Sequence, residues 1–167
     1  IVTGTYFGDP RTGWLTQRRV PFVSFGRPWG GADVYTSAHS WVDVDGAAGT
    51  RAATEWARAR SGERVAWLGW PSDGATGDDR LSGWRAAMGS VADSVPRFEV
   101  SDGVANARGV VAEALVRGAL DGVDALVCAS DALAVGAHLA LLDAGRADLT
   151  VVGFDNTPVA EAMGLPS

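Results

Sequence analysis

At 167 residues, 47% hydrophobic and 20% charged, the chain has room for one domain or two small lobes and is too apolar to be disordered. Its net charge is −6 and all 14 basic residues are Arg, which excludes the clustered cationic surface that grips nucleic acid unaided. One cysteine, Cys128, rules out an internal disulfide and fits a reducing compartment, so a cytoplasmic setting is expected. No apolar run approaches the ~20 residues of a membrane span, and no membrane contact is expected.

Residues 1–3 form an apolar strand candidate, already under way at Ile1, so the chain is expected to be part of a longer protein. Asp9-Pro10 reads as an N-cap followed by Pro at the first helical position, opening a helix to about Arg18. Strands are expected at 21–25 and 41–44, with an aperiodic loop over 26–40 between them. Asp45 caps a helix over 46–61, with Ala48, Ala52 and Trp56 on one face and Gly62 as its stop. Then come a strand at 64–70, an acidic loop at 71–78, and a helix from Asp79 to Met88 carrying Leu81, Trp84 and Met88 on one side. A weak strand at 97–100 precedes a helix at 105–117 stopped by Gly118. A strand at 124–128, a helix at 131–144 stopped by Gly145, and a strand at 149–154 follow. From Val44 onward, strand and helix alternate at intervals of about 25–30 residues, the rhythm of right-handed βαβ units and a parallel sheet.

Three segments place polar groups just after apolar runs. They are Asp79-Arg80-Leu81-Ser82-Gly83-Trp84, Ala129-Ser130-Asp131-Ala132-Leu133-Ala134-Val135-Gly136 and Val151-Val152-Gly153-Phe154-Asp155-Asn156-Thr157-Pro158. The carboxyl edge of an open α/β sheet is where small ligands sit. An Arg that donates in a fork, with carboxylates that accept from hydroxyls, suits a neutral, hydroxyl-rich ligand. Each residue also has a plainer reading. Arg80, in the first turn of its helix, is poorly placed for the dipole and could simply pair with Asp78 or Asp79. Asp155 could form a turn in Asp-Asn-Thr-Pro, and both roles can hold at once. Ser130 could cap a helix while Asp131 adds a favourable first-turn charge, which leaves Ser130 nearer the ligand. Trp56 and Trp84 read as core, whereas Trp29 and Trp41 lie where a ring could stack on a sugar. His39 and His138 have no metal-ligand spacing, and Ser72–Asp79 fails the spacing of a calcium loop, so no metal is expected. No Gly-x-Ser-x-Gly, His-Glu-x-x-His or Walker A pattern occurs; neither an enzyme nor a cofactor is expected.

Five segments in order are Pro21-Phe22-Val23-Ser24-Phe25-Gly26-Arg27, Val42-Asp43-Val44-Asp45-Gly46-Ala47-Ala48-Gly49, Arg80-Leu81-Ser82-Gly83-Trp84, Ser130-Asp131-Ala132-Leu133-Ala134-Val135-Gly136 and Val152-Gly153-Phe154-Asp155-Asn156-Thr157-Pro158. Together they resemble the effector-binding core of the LacI/GalR family of bacterial transcription regulators, over nearly the whole chain. The resemblance implies an α/β, periplasmic-binding-protein-like fold of two Rossmann-like lobes with parallel sheets. The N-terminal lobe is incomplete: residues 1–45 form part of it, 46–158 the C-terminal lobe, and 159–167 the crossover back. It implies a sugar effector held by Arg80, Asp155, Ser130, Asp131, Phe25, Trp29 and Trp41. It also implies a homodimer, and operator DNA bound through a helix-turn-helix headpiece outside this sequence. Where the family commonly carries Asn, this chain has Ser130, with one hydroxyl in place of an amide donor and a carbonyl acceptor. An aromatic residue common near the start of a later helix falls at Val104 here, so Trp29, Trp41 or Phe25 would supply the stacking ring. The rival readings are a transport-type sugar-binding protein of the same fold and, last, a sugar-modifying enzyme using Asp131 and Asp155 as a carboxylate pair.

Overall fold

The structure, a computed structural model, describes residues 1–30, 39–72 and 74–167. The aperiodic loop read over 26–40 therefore lies largely outside the described residues. At the amino end, α1 (Pro10–Gln17) starts as the sequence predicts, with Asp9 accepting from the Arg11 N–H at 3.0 Å. Strands β1 (Val23–Phe25) and β2 (Ser40–Val42) pair in parallel, Ser24 opposite Trp41. The segment at 1–3 is not a full strand but a single bridge: Val2 N–H donates to Val23 O at 3.0 Å, and Phe25 N–H to Val2 O at 2.8 Å.

The second sheet contains β3 (Val65–Gly69), β4 (Arg97–Glu99), β5 (Ala125–Cys128) and β6 (Thr150–Val152), in the order β4-β3-β5-β6, all parallel. Every residue of β3 and β5 is buried, as expected for central parallel strands covered on both faces. The helices that cover them are α2 (Gly46–Ser61), α3 (Thr76–Met88), α4 (Val104–Val116) and α5 (Asp131–Asp143). α2 packs on α3 and α4 on α5. Glycines permit both approaches. A Cβ on Gly83 would strike the Ala47 carbonyl, and one on Gly136 the Val104 carbonyl. Between the sheet and α3, the rings of Trp67 and Trp84 lie 6.2 Å apart, and the Trp84 indole N–H donates to Val65 O at 3.2 Å.

Three sequence expectations change. Helix α2 is bounded as predicted, capped by Asp45 on Ala48 N–H at 2.8 Å and ended by Gly62, but it buries a different face. Thr50, Thr54 and Ala57 face inward, while Ala48 and Ala52 are exposed and Trp56 is 40% exposed, with the Arg60 guanidinium over its ring. Thr54 tolerates burial because its hydroxyl donates to Thr50 O at 2.8 Å. Helix α3 begins at Thr76, not Asp79, so Arg80 is its fifth residue and the argument from a misplaced first-turn Arg falls away. Asp78 and Asp79 stand in the first turn instead, where the dipole favours them. Finally, the chain after β6 forms a short helix, α6 (Pro158–Ala162), capped by Thr157.

Candidate functional site

The ends of β3, β4, β5 and β6 deliver Trp70, Asp102, Ser130 and Asp155 to one edge of the sheet, and α3 places Arg80 among them. Arg80 is 8% exposed. Its Nη1 donates to Ala129 O, and its Nη2 donates to Asp155 Oδ1 at 3.1 Å. Its Cζ lies 3.8 Å from the centroid of the Phe154 ring and 5.4 Å from that of Trp70. Two aromatic faces and two acceptors thus fix the guanidinium as a planar unit. One donor is left over: Arg80 Nε is buried without a hydrogen-bond partner.

That donor belongs to a cavity of about 190 Å³ between the two-stranded sheet and helix α3, lined by Thr5, Phe25 and Trp29 on one side, Val44 between, and Asp79 and Arg80 on the other. Two further polar atoms there are buried and unpaired, Thr5 Oγ1 and Trp29 Nε1. A buried polar group without a partner costs roughly 1–3 kcal/mol. Three such groups at one small cavity mark a place built for something that accepts hydrogen bonds. Phe25 and Trp29, which the sequence puts at the ligand, line this cavity with Arg80. Trp41 does not line it; it sits on β2 opposite Ser24. Beside the cavity, Arg27 donates from Nε to Asp43 Oδ2 at 2.6 Å, from Nη2 to Val44 O at 3.1 Å, and from Nη1 to Asp79 Oδ1 at 3.4 Å. It ties the segment after β1 to the segment after β2 and to α3.

Asp155 pairs with Arg80 while its own side chain stays 42% exposed. Burial raises its carboxyl above the ordinary carboxylate value more than Arg80 lowers it, and the charges of Asp131 and Asp102 add to the rise. Its backbone is unusual: φ is +109°, outside the region a residue with a Cβ readily adopts. Strain of this kind costs about 1–3 kcal/mol and persists where the surroundings impose it.

Ser130 and Asp131 are held differently. Ser130 caps α5 by accepting from Leu133 N–H at 3.2 Å, and its hydroxyl donates to Asp102 Oδ1 at 2.7 Å. Asp131 is buried, and both its oxygens are taken: Oδ2 accepts from Thr157 N–H at 2.6 Å, and Oδ1 from the Ser167 hydroxyl at 2.7 Å. A side chain at Gly153 would strike this carboxylate. Asp131 thus clamps the turn between β6 and α6, a role the sequence did not suggest, while it also stands in the first turn of α5 behind the Ser130 cap.

Sequence reasoning missed Thr5, Trp70 and Asp102. The last two carried a usable signal, since each follows its strand as Ser130 and Asp155 follow theirs. Among the described residues no cluster of three or more His, Cys, Asp or Glu could hold a metal ion, and no helix is long and apolar enough to cross a membrane.

The sequence profile described as periplasmic binding proteins and sugar binding domain of LacI family matches residues 33–163. Over 163 residues the chain is 34% identical to the HTH-type transcriptional regulator CelR of Thermobifida fusca, covering 92% of this chain and 45% of CelR. The fold superposes on a LacI-family regulatory protein from Chloroflexus aggregans with a TM-score of 0.81 and 31% identity, over 96% of this chain and 57% of that one. A complex of CelR with cellobiose gives a TM-score of 0.81 and 30% identity, over 96% of this chain and 49% of the other. A periplasmic solute-binding protein of an ABC transporter from Actinobacillus succinogenes, with bound D-allose, shares the fold (TM-score 0.75, 21% identity, 90% of this chain and 56% of the other). The chain spans about half the length of these relatives. By its profile match, its identity to CelR and its parallel α/β architecture, it belongs to the family of periplasmic binding proteins and LacI-type sugar-binding domains.

Proposed function

We propose that the chain is the effector-binding core of a LacI-type transcription regulator, and that a neutral saccharide binds at Arg80 between the two sheets. The observation that carries this reading is the cavity with three unpartnered polar atoms, Thr5 Oγ1, Trp29 Nε1 and Arg80 Nε. Ligand hydroxyls accept from the guanidinium and the indole and pair with the Thr5 hydroxyl, so a polyol satisfies all three at once, and one that extends past Arg80 reaches the Asp155 carboxylate, which lines a neighbouring cavity. Phe25 and Trp29 offer ring surface for the C–H face of a sugar. In this reading residues 1–45 belong to one lobe and 46–158 to the other. A ligand that binds the closed pair better than the open pair shifts the angle between them. In a dimer carrying DNA-binding headpieces that shift changes operator affinity. The protein then works in the cytoplasm as a binder, without catalysis. Similarity to CelR, known in complex with cellobiose, makes cellobiose the first probe. The transport reading draws on likeness in fold and on a profile that covers both groups, whereas the 34% identity to CelR favours the regulator.

Isothermal titration of the full-length protein against cellobiose, maltose, D-glucose and D-galactose tests this. At least one is expected to bind with a Kd well below ~1 mM, and to change the anisotropy of a labelled duplex from the protein's own promoter region. Silence toward all four would sink the reading.

The raised Asp155 carboxyl adds a pH dependence. The ionised group is the stronger acceptor for a hydroxyl, and its upward shift moves protonation above the ordinary aspartate value of about 3.9. Affinity should therefore weaken on acidification from neutrality sooner than an ordinary carboxylate would allow. Titrations at stepped pH should show this decline for the parent and a flat, weak profile for Asp155→Asn. A parent affinity constant down to about pH 4 would contradict it.

A further inference from the structure

Beyond Arg80 and Asp155, the sheet edge carries a second constellation. The Trp70 indole N–H donates to Asp102 Oδ1 at 3.0 Å, and the Ser130 hydroxyl donates to the same oxygen at 2.7 Å. Ser130 also takes the Leu133 N–H, so its hydroxyl is spent on Asp102 and on the cap of α5. Both side-chain donors converge on Oδ1, and no described residue donates to Oδ2. The carboxylate is exposed and its orientation fixed. Trp70 is half-buried, with its N–H committed to Asp102, and Arg80 Cζ lies 5.4 Å from its ring centroid. Asp102 after β4, Trp70 after β3 and Asp155 after β6 therefore lie along one edge, with the guanidinium brought among them by α3.

We propose that Trp70 and Asp102 form the second wall of the saccharide site: Asp102 Oδ2 accepts from a sugar hydroxyl, the Trp70 ring covers a C–H face, and Ser130 acts as the positioning residue that holds Asp102. This rests on the saccharide reading of the Arg80 cavity and extends the site along the sheet edge past the guanidinium, beyond the residues that line the cavity itself. It explains what the chain does with a serine at position 130. The acceptor that an amide would offer there comes from Asp102, and the serine aims it. It also sets the ligand's charge. Arg80 stands among Asp102, Asp131 and Asp155, and Arg27 beside the cavity is already paired with Asp43 and Asp79, so a sugar phosphate or sugar acid is repelled while a neutral sugar is not.

The test is a coupling experiment on the full-length protein. Asp102→Asn keeps an oxygen for Trp70 and Ser130, so the variant should fold, with an unchanged melting temperature. Its affinity for the tightest-binding of cellobiose, maltose, D-glucose and D-galactose should fall about 10–100-fold, the range for losing a hydrogen bond to a charged group. Single-deoxy analogues of that sugar then locate the partner. One of them should bind the parent at least ~10-fold more weakly than the intact sugar, yet bind Asp102→Asn no worse than the intact sugar does. Trp70→Phe should remove part of the ligand-dependent change in tryptophan fluorescence, the remainder coming from Trp29. If the parent binds none of the four sugars, this proposal and the saccharide reading fall together. If the parent binds and Asp102→Asn binds equally well, or loses affinity without coupling to any deoxy position, only this proposal is overturned.

Discussion

Arg80→Ala is expected to lower the affinity for the best-bound saccharide more than ~100-fold. The guanidinium joins most parts of the site: Ala129 O, Asp155, the Phe154 and Trp70 rings, and the cavity through Nε. Truncation removes the ligand's main donor and leaves Asp155 half-buried with no cation beside it, among the charges of Asp131 and Asp102. Arg80→Lys should recover little, because an ammonium has neither the plane that lies between the rings nor the fork that serves Ala129 and Asp155 together. The same loss should appear without ligand. Two charge-assisted hydrogen bonds disappear, each worth about 1.5–3 kcal/mol, so unfolding should shift measurably in urea. Calorimetric titration and equilibrium unfolding of both variants check this. Binding by Arg80→Ala within threefold of the parent would take Arg80 out of the site.

Trp84→Ala should be the most destabilising single truncation in the core, by about 3–5 kcal/mol. Trp84 is wholly buried, packs against Trp67 and donates its indole N–H to Val65 O. It is also the link between helix α3 and strand β3, the two elements that carry Arg80 and Trp70. The expected drop in melting temperature is about 6–20 °C for a chain of this size. Trp84→Phe should lose less, since it keeps the ring and gives up the hydrogen bond and part of the volume. A loss below ~1 kcal/mol in the alanine variant would mean that α3 repacks freely on the sheet, and the rigid placement of Arg80 argued above would not hold.

The sheet was legible because parallel strands buried on both faces leave a simple mark. Continuous apolar runs such as Val65–Gly69 and Ala125–Cys128 alternate with helices that end at glycine. Where reading failed, the local signal was weak or pointed elsewhere. α3 starts after Ala75, which offers no side-chain cap, so nothing in the sequence marks its first turn and Asp79 looks like the start. α6 did carry a signal, Thr157 followed by Pro158, but the preceding Asp155-Asn156 pair suggested only a turn. In α2 the helical period was right and the face was wrong. Two threonines read as polar, yet Thr54 satisfies its hydroxyl within the helix and Trp56 stays outside under Arg60. For the site, Arg80 and Asp155 could be named from their place after strands, and the structure brings them to 3.1 Å. Asp102 and Trp70 are joined only across the sheet, through a contact between strand ends 32 residues apart, which no local pattern records. Thr5 was hidden because what distinguishes it is a missing partner, a property only coordinates reveal; Trp29 was named for its ring, but its unpaired indole N–H is visible only in the structure.

The backbone at Asp155 has a consequence for anyone seeking a hardier version of this protein. A glycine there would relax a torsion that an aspartate holds only under compulsion, yet it would also take away the carboxylate paired with Arg80. The two effects are of similar size, so neither dominates the heat resistance of such a variant. In this chain, the bond that aims Arg80 is also what keeps a twisted backbone in place.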